Sequence, residues 1–214
     1  MEIIKKQIAY NKTKRTTAIK YIVIHDTANK NKGADAMAHF NYFNGGDRQS
    51  SADFFVDDTN IIQVNDYNKY YTWQCGDGKG KYGITNQNSI GIEICVNEDG
   101  NYKAAYLNAV ELTKSLMEEL NIPVERVVRH YDASRKNCPA SMSSNDWAYW
   151  QDFKNRINVQ ELTSPNDIVW ELEQRGIVSD TKGMLYEMSK NTDGRLYWLA
   201  RKTLHYIRLM EGGR

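Results

Sequence analysis

Apolar runs that end abruptly in polar residues predict two buried strands that each carry a histidine. The run YIVIHDT, residues 21–27, is rich in β-branched side chains and predicts a strand with His25 at its C-terminal edge. The run VERVVRH, residues 124–130, predicts a second short strand that also ends on a histidine, His130. Because loops at strand ends often carry functional side chains, both histidines are candidates for a site.

A third strand and a hairpin lie between these two runs. In SIGIEICV, residues 89–96, the isoleucines share one face and Glu93 and Cys95 share the other, following the two-residue period of a strand. Residues 52–64 hold two apolar runs joined by the polar tetrapeptide DDTN, and this pattern predicts a β-hairpin.

Other stretches carry apolar residues at helical spacing. Residues 33–46 place His39 and several apolar side chains along one stripe and end on two glycines, which predicts an amphipathic helix. Residues 102–120 predict a long helix. Ser144 is in a position to cap a last helix that bears two tryptophans and a phenylalanine.

Strands interspersed with helices predict an α/β domain in which helices flank a central mixed β-sheet. The composition then changes, because NVQELTSPND, residues 158–167, is polar and holds one of only three prolines in the chain. Three short helical patterns follow this stretch, around residues 167–175, 182–188 and 196–210. We therefore expect a first domain over residues 1–158, a linker over 159–165 and a small all-α C-terminal domain over 166–214.

Composition narrows the class of protein further. The chain has 214 residues, 41% hydrophobic and 26% charged, so a packed core is expected. A net charge of +1 gives no support for a nucleic-acid partner held by phosphate contacts. No run approaches the roughly 18 apolar residues that a membrane span needs. The N-terminal sequence MEIIKKQIAYNKTKRTT is too polar for a secretory signal, so we expect synthesis in a cytoplasm without a signal peptide.

The segment RHYDASRKNCP, residues 129–139, concentrates the candidate chemistry. It holds His130, Lys136 and Cys138 in a chain with only four histidines and three cysteines. An odd cysteine count argues against a disulfide framework. Imidazole and thiolate groups are ligands that suit Zn²⁺, so His130 and Cys138 can form a zinc site with His25. Each of them taken alone could equally be a packed core residue.

Two further groups have both a functional and a structural interpretation. Glu93 lies on the central strand beside apolar neighbours, where a carboxylate is costly unless it is hydrogen-bonded or functional. Lys136 taken alone is as well explained as a solvated loop lysine. The aromatic residues Tyr70, Tyr71 and Trp73 could bind sugars or a peptide, or could belong to the core beside a flexible glycine-rich loop.

The motifs VIHDT, NSIGIEIC and RHYDASRKNCP, in this order, resemble those of zinc-dependent N-acetylmuramoyl-L-alanine amidases. These enzymes belong to the type-2 amidase superfamily, which also contains the peptidoglycan recognition proteins. The match covers roughly residues 15–157, and KYGITNQNSIGIEIC is similar to phage endolysins and prophage autolysins of Gram-positive bacteria. The resemblance implies one zinc ion bound by His25, His130 and Cys138, with Glu93 and Lys136 as catalytic residues.

The sequence departs from that family pattern at two positions. Many relatives have a histidine where this chain has Gln74, and phage-type lytic relatives have a tyrosine where it has Asp53. No role is therefore carried over to Gln74 or Asp53, and we expect Glu93 and Lys136 to perform the catalysis.

The resemblance also implies the substrate and the partners. The expected substrate is peptidoglycan, cut at the amide between N-acetylmuramic acid and L-alanine, after release of the protein from the host cytoplasm. The C-terminal domain, residues 166–214, resembles modules that bind the cell wall, with a secondary wall polymer as a candidate ligand. Assembly into a homo-oligomer is its alternative role. Two alternative functions remain for the whole chain: a non-catalytic peptidoglycan-recognition module, and a zinc peptidase acting within the stem peptide.

Overall fold

The structure is a computed structural model that describes residues 3–158, 165–174 and 176–190, together with residues 196, 199, 200, 203 and 207. It divides into two compact units, Met1–Ile157 and Asn158–Arg214. None of the helices formed by the described residues combines the length and the apolar character needed to cross a membrane.

The first unit is built around a six-stranded sheet of order β1-β5-β4-β7-β3-β8. Its strands are β1 (Ile3–Lys5), β3 (Tyr21–Asp26), β4 (Phe54–Val56), β5 (Ile61–Gln63), β7 (Ser89–Ile94) and β8 (Val127–Arg129). β7 runs parallel to both β3 and β4, whereas β4 and β5 are antiparallel. The predicted central mixed β-sheet is therefore confirmed.

Two further strands form a separate two-stranded antiparallel sheet. It consists of β2 (Lys12–Lys14) and β6 (Tyr70–Thr72), and its register pairs Thr13 with Tyr71. β6 therefore carries two of the three aromatic residues that were predicted to bind substrate.

The strands at the centre of the sheet are covered on both faces, as near-continuous runs of isoleucine and valine require. Ile22 and Ile24 of β3 and Ile90 and Ile92 of β7 are fully buried. The hairpin prediction is also confirmed, because β4 and β5 pair directly and the N–H of Asp57 donates to the carbonyl of Asn60 at 3.0 Å.

Helices α1 (Ala36–Asn44) and α2 (Tyr102–Leu120) form where the apolar stripes predict them. The Asp35 side chain caps α1 by accepting from the N–H of Ala38 at 2.7 Å. Asn101 caps α2, and Asn121 ends it in the left-handed conformation. Both helix ends thus satisfy backbone groups that would otherwise lack partners.

The expectation that Ser144 caps the next helix is wrong. Helix α3 (His130–Ser134) directly follows β8, and α4 spans Ser144–Ile157, so Ser144 lies inside the assigned helix. Residues 145–147 have positive φ angles, and regular helical geometry resumes only after them. The apolar side chains Trp150, Phe153 and Ile157 then pack into the core as their spacing predicts.

The second unit contains α5 (Pro165–Gln174) and α6 (Thr181–Lys190). Their apolar cluster consists of Ile168, Val169, Leu172, Met188 and Ala200. The predicted linker lies mostly outside the described residues, as does the last predicted helix at 196–210. The assignment of residues 166–214 as a separate functional domain remains a prediction.

Candidate metal centre and active site

The parallel register of β3 and β7 brings the first two candidate residues together. His25 pairs with Glu93 across the ladder, and both side chains lie on the same face of the sheet. The Nδ1 atom of His25 is 3.9 Å from Oε1 of Glu93. The sheet therefore places a buried imidazole beside a carboxylate without help from any loop.

His130 lies close to His25 because β8 pairs with β3 on the side opposite β7. β8 pairs with β3 so that Arg129 lies opposite Ile24, and His130 follows as the first residue of α3. The imidazole rings of His25 and His130 are consequently 4.7 Å apart between centroids, in an edge-to-face arrangement.

Cys138 is carried to the two histidines by the loop after α3. The N–H of Tyr131 donates to the carbonyl of Cys138 at 3.0 Å, and the N–H of Ser141 donates to the carboxylate of Asp26 at 2.6 Å. These two contacts join the loop to α3 and to the end of β3. The Sγ atom of Cys138 then lies 3.7 Å from Nδ1 of His25.

The resulting cluster has the chemistry of a metal site. His25, His130 and Cys138 are all buried, and each offers one ligand atom within 4.8 Å of the others. Among the described residues, Nδ1 of His130 is buried and has no hydrogen-bond partner. A buried imidazole nitrogen is costly to leave unpaired, and two imidazoles with one thiolate suit Zn²⁺. The residues present therefore fit a metal ion.

Burial sets the protonation of these groups in the metal-free chain. Burial, together with the nearby His130, lowers the pKa of His25 to about 3, so this imidazole is neutral at physiological pH. Burial also lowers the pKa of His130, although Asp77 opposes that shift. Burial raises the pKa of the Cys138 thiol to about 12, and the carboxylate of Glu93 acts in the same direction. A bound cation would favour the thiolate.

Glu93 has the environment of a proton carrier. Its Oε2 atom is buried and has no hydrogen-bond partner among the described residues. Burial and the charge of Asp26 raise the pKa of Glu93 to about 8, while the charge of Lys136 lowers it. A carboxyl group with a pKa near neutrality can both accept and return a proton.

Lys136 lies on the exposed loop between His130 and Cys138. Its charge acts on both of these residues and on Glu93, since it lowers the pKa of each of the three. The charge of Lys136 thus influences the centre while the side chain remains open to solvent, and its catalytic role stays a prediction.

Two polar neighbours of the cluster had no role assigned from the sequence. Oε1 of Gln74 lies 2.6 Å from Nε2 of His25, and Oδ1 of Asp77 lies 2.8 Å from Nε2 of His130. Both belong to the segment WQCGDG, residues 73–78, in which Gln74 was considered from the sequence without being given a role and Asp77 was not considered. No periodicity marks such residues, because the loop brings them to the histidines only after folding.

A cavity of about 420 Å³ opens beside Glu93 along α1. Its lining is Thr27, Asn29, Ala34, Ala38, His39, Tyr42, Phe43, Phe55 and Glu93. His39 stacks on Phe55, and its Nε2 atom is buried without a hydrogen-bond partner among the described residues. His39 and Glu93 thus both line the cavity, and each has one buried polar atom without a partner among the described residues.

The three aromatic residues predicted to bind substrate lie elsewhere. Tyr70 and Tyr71 belong to β6, and Nε1 of Trp73 donates to the hydroxyl of Thr13 at 3.0 Å. None of the three lines the cavity beside Glu93. Their substrate role stays a prediction.

The sequence of the chain is similar to known cell-wall amidases. The family model described as N-acetylmuramoyl-L-alanine amidase matches residues 15–141. The amidase CwlH of Bacillus subtilis (strain 168) is 40% identical over 150 residues, which cover 68% of this chain and 57% of the relative. XlyA of the same organism is 44% identical over 137 residues, which cover 64% of this chain and 43% of the relative. The chain spans about half the length of these curated relatives.

Solved structures of the same family share the fold. The catalytic domain of XlyA superposes with a TM-score of 0.65 at 40% identity, covering 74% of this chain and 100% of that one. PlyL superposes with a TM-score of 0.66 at 33% identity, covering 76% of this chain and 100% of that one. Because the family model matches more than half of the sequence and these domains match its first unit, the chain belongs to the type-2 N-acetylmuramoyl-L-alanine amidase family.

Proposed function

We propose that this protein hydrolyses the amide bond between the lactyl group of N-acetylmuramic acid and the L-alanine of the stem peptide. The observation that carries the proposal is the buried cluster of His25, His130 and Cys138, which lies directly beside Glu93. Membership of the amidase family supports the choice of bond. The same activity on an intact wall is that of an endolysin or autolysin.

The cluster would hold one zinc ion through the two imidazoles and the thiolate. When bound, zinc polarises a carbonyl oxygen and makes water a nucleophile near neutral pH. His25 and His130 are neutral over the physiological range because burial lowers their pKa values, so neither needs to lose a proton before binding.

Glu93 would act as the general base and then as the general acid. It takes a proton from the attacking water and returns it to the leaving amine of L-alanine. Its raised pKa suits this double role, because the same carboxyl group must accept and release a proton in one cycle. Its side chain lines the cavity and also lies 3.9 Å from Nδ1 of His25 in the cluster.

Lys136 would stabilise the negative charge that develops on the carbonyl oxygen. Its charge acts on Glu93 and on Cys138, which supports a position close to the centre. A preorganised cation at such a position typically contributes a factor of about 10² to 10³ in kcat. The cavity along α1 would receive the part of the substrate that lies next to the scissile bond.

For residues 166–214 we infer binding to the cell wall, with homo-oligomer formation as the alternative. The run RLYWLARKTLHYIR, residues 195–208, is basic and aromatic, which suits an anionic wall polymer. Removal of residues 161–214 separates the two roles. Loss of wall pull-down with retained amidase activity supports a binder, whereas a lower mass in light scattering supports assembly.

The amidase proposal is tested with Glu93→Gln, which keeps the shape of the side chain and removes its proton chemistry. We expect a loss of about 10² to 10⁴ in kcat on purified peptidoglycan, with zinc content unchanged. The matched control is Glu98→Gln, an exposed glutamate that pairs only loosely with Lys32 at 3.9 Å. If the Glu93 variant is as active as the control, Glu93 is not the general base and acid.

Mass spectrometry of the digested walls identifies the bond that is cut. New amino-terminal alanine on released stem peptides, with intact glycan strands, supports the amidase. A different new amino terminus would identify a peptidase acting within the stem peptide. Binding to walls without any product would identify a recognition module.

A further inference from the structure

We propose that the Gln74–Asp77 segment fixes both ligand histidines in the tautomer that carries its proton on Nε2. Gln74 does this for His25 and Asp77 does it for His130, so that both Nδ1 atoms point their lone pairs into the cluster. The inference rests on the proposed function, since it concerns the same metal centre. It assigns positioning roles to two residues that the sequence left without one.

The position of the His25 proton follows from a chain of hydrogen bonds that ends at a carbonyl group, which can only accept a hydrogen bond. The hydroxyl of Ser89 lies 2.5 Å from the carbonyl oxygen of Thr85, so it must donate its proton there. The oxygen of Ser89 therefore accepts from the Gln74 amide nitrogen at 2.7 Å. This contact fixes the orientation of the amide and turns Oε1 of Gln74 toward His25.

His25 must then donate from Nε2 to the Gln74 oxygen at 2.6 Å. A neutral imidazole carries one proton, so Nδ1 is left with a lone pair facing Cys138 at 3.7 Å. The relay is enclosed, because Ser89 and His25 are buried and Gln74 is only 9% exposed. Water therefore has little access with which to support the other tautomer.

Close packing holds the Gln74 side chain in this orientation. A Cβ atom at Gly91 would lie 2.9 Å from the Gln74 side-chain carbonyl, so only glycine leaves room for the amide. The backbone N–H groups of Gln74 and Cys75 both donate to Oδ1 of Asn86, at 3.0 and 2.7 Å. The start of the segment is thus fixed from both sides.

The position of the His130 proton follows from a single contact, because an ionised carboxylate can only accept a hydrogen bond. Oδ1 of Asp77 lies 2.8 Å from Nε2 of His130, which must therefore donate. Gly78 brings the loop against α3, since a Cβ atom there would lie 2.0 Å from the carbonyl oxygen of Ala133. Outer partners of this kind orient metal-binding histidines and raise their basicity.

Zinc affinity and histidine tautomers of the full-length protein test the inference. We expect Gln74→Leu and Asp77→Ala each to weaken Zn²⁺ binding, measured by chelator competition, by about 10- to 100-fold. Asp77→Asn keeps an accepting oxygen and should lose less than about 10-fold. The matched controls are Gln151→Leu and Asp47→Ala, two exposed positions where we expect no change.

Nitrogen-15 spectra of the metal-free chain give a readout that is independent of catalysis. The wild type should show His25 protonated on Nε2, and Ser89→Ala should yield a mixture of tautomers because the Gln74 amide is free to turn. This variant also covers the case in which Gln74→Leu fails to fold. If the wild type binds Zn²⁺ and the Zn²⁺ affinity of every variant is within about twofold of the wild-type value, the inference is overturned and the proposed function still stands. A wild type that binds no zinc would overturn both.

Discussion

His25 and Glu93 lie on adjacent strands at the centre of the sheet, whereas Lys136 and Cys138 lie on the loop that follows α3. The strand-borne half of the site is placed by the parallel ladder between β3 and β7 and by the apolar side chains packed around it. The loop-borne half is placed by single polar contacts, such as that between the Ser141 N–H and the Asp26 carboxylate.

Because the two halves are held in place differently, substitutions in them should affect stability and function to different extents. A substitution among the buried residues that support β3 and β7 disturbs the strand pairing and the core together, so it should lower the free energy of unfolding. A change in the loop-borne half removes a ligand or a charge that few other residues need. Substitutions there should therefore affect activity strongly and the free energy of unfolding weakly.

Asp53→Ala should have the largest effect on stability. The Asp53 carboxylate is fully buried and accepts from the Asn65 amide, the Thr72 hydroxyl and the Gly91 N–H, at 2.7 to 2.8 Å. Its removal takes away the acceptor of the Thr72 hydroxyl and of the Gly91 N–H, and leaves the Asn65 amide with only the Tyr70 carbonyl. We therefore expect a loss of at least about 3 kcal/mol in urea unfolding. Asp47→Ala, at an exposed aspartate, is the control. A loss below about 1 kcal/mol would contradict the supporting role assigned to Asp53.

Glu93→Gln should change the pH dependence of stability in the metal-free protein. Burial raises the pKa of Glu93 to about 8, above its ordinary value of about 4.3 in an unfolded chain. The folded chain therefore binds an extra proton between these values, and the stabilisation is lost as pH rises through about 8. Glutamine does not ionise, so the variant should gain about 1 to 3 kcal/mol on the wild type between about pH 5 and pH 9.

Denaturant titrations at several pH values measure that gain. The comparison uses Glu98→Gln as the matched substitution, because Glu98 is exposed and its change should be the same at every pH. A Glu93 variant that follows the wild type across the whole range would mean that the folded protein does not hold a proton on this carboxyl group.

Cys138→Ala should separate metal binding from stability. The thiol is buried beside His25, but its replacement removes only one small atom from the core, so we expect about 1 kcal/mol lost from the metal-free chain. Zinc affinity should fall by more than about a hundredfold, since a direct ligand outweighs an outer partner. Metal content per chain and urea unfolding measure the two effects. A large loss of metal-free stability would mean that the loop-borne half also supports the fold.

Lys136→Met should leave the free energy of unfolding within about 0.5 kcal/mol, since the side chain is exposed. The loss of its charge should lower kcat by about 10²- to 10³-fold with little change in zinc affinity. Lys81→Met, at an exposed lysine of the glycine-rich loop, is the control for general charge effects. Equal kcat values for the two variants would remove Lys136 from the catalytic machinery.

Local pattern was sufficient to predict the main elements of the first unit. The bounds of α2 and the pairing of β4 with β5 follow from apolar period, turn residues and caps, which act within a few residues of the chain. Ser144 was misjudged because the backbone of residues 145–147 takes left-handed angles that no pattern of side chains indicates. The aromatic residues of β6 were similarly ambiguous, because aromatic side chains suit a strand surface as well as a binding site.

Residue type and local pattern were enough to indicate which residues could do the chemistry. His25, His130 and Cys138 were candidates from their residue types, and Glu93 from its cost in an apolar strand. Only the tertiary structure decided that the ligand atoms lie within 4.8 Å of one another. Only the tertiary structure also revealed the outer partners Gln74 and Asp77 and the cavity along α1. Residue type and period are local properties, whereas these contacts depend on strand register and loop docking between segments far apart in the chain.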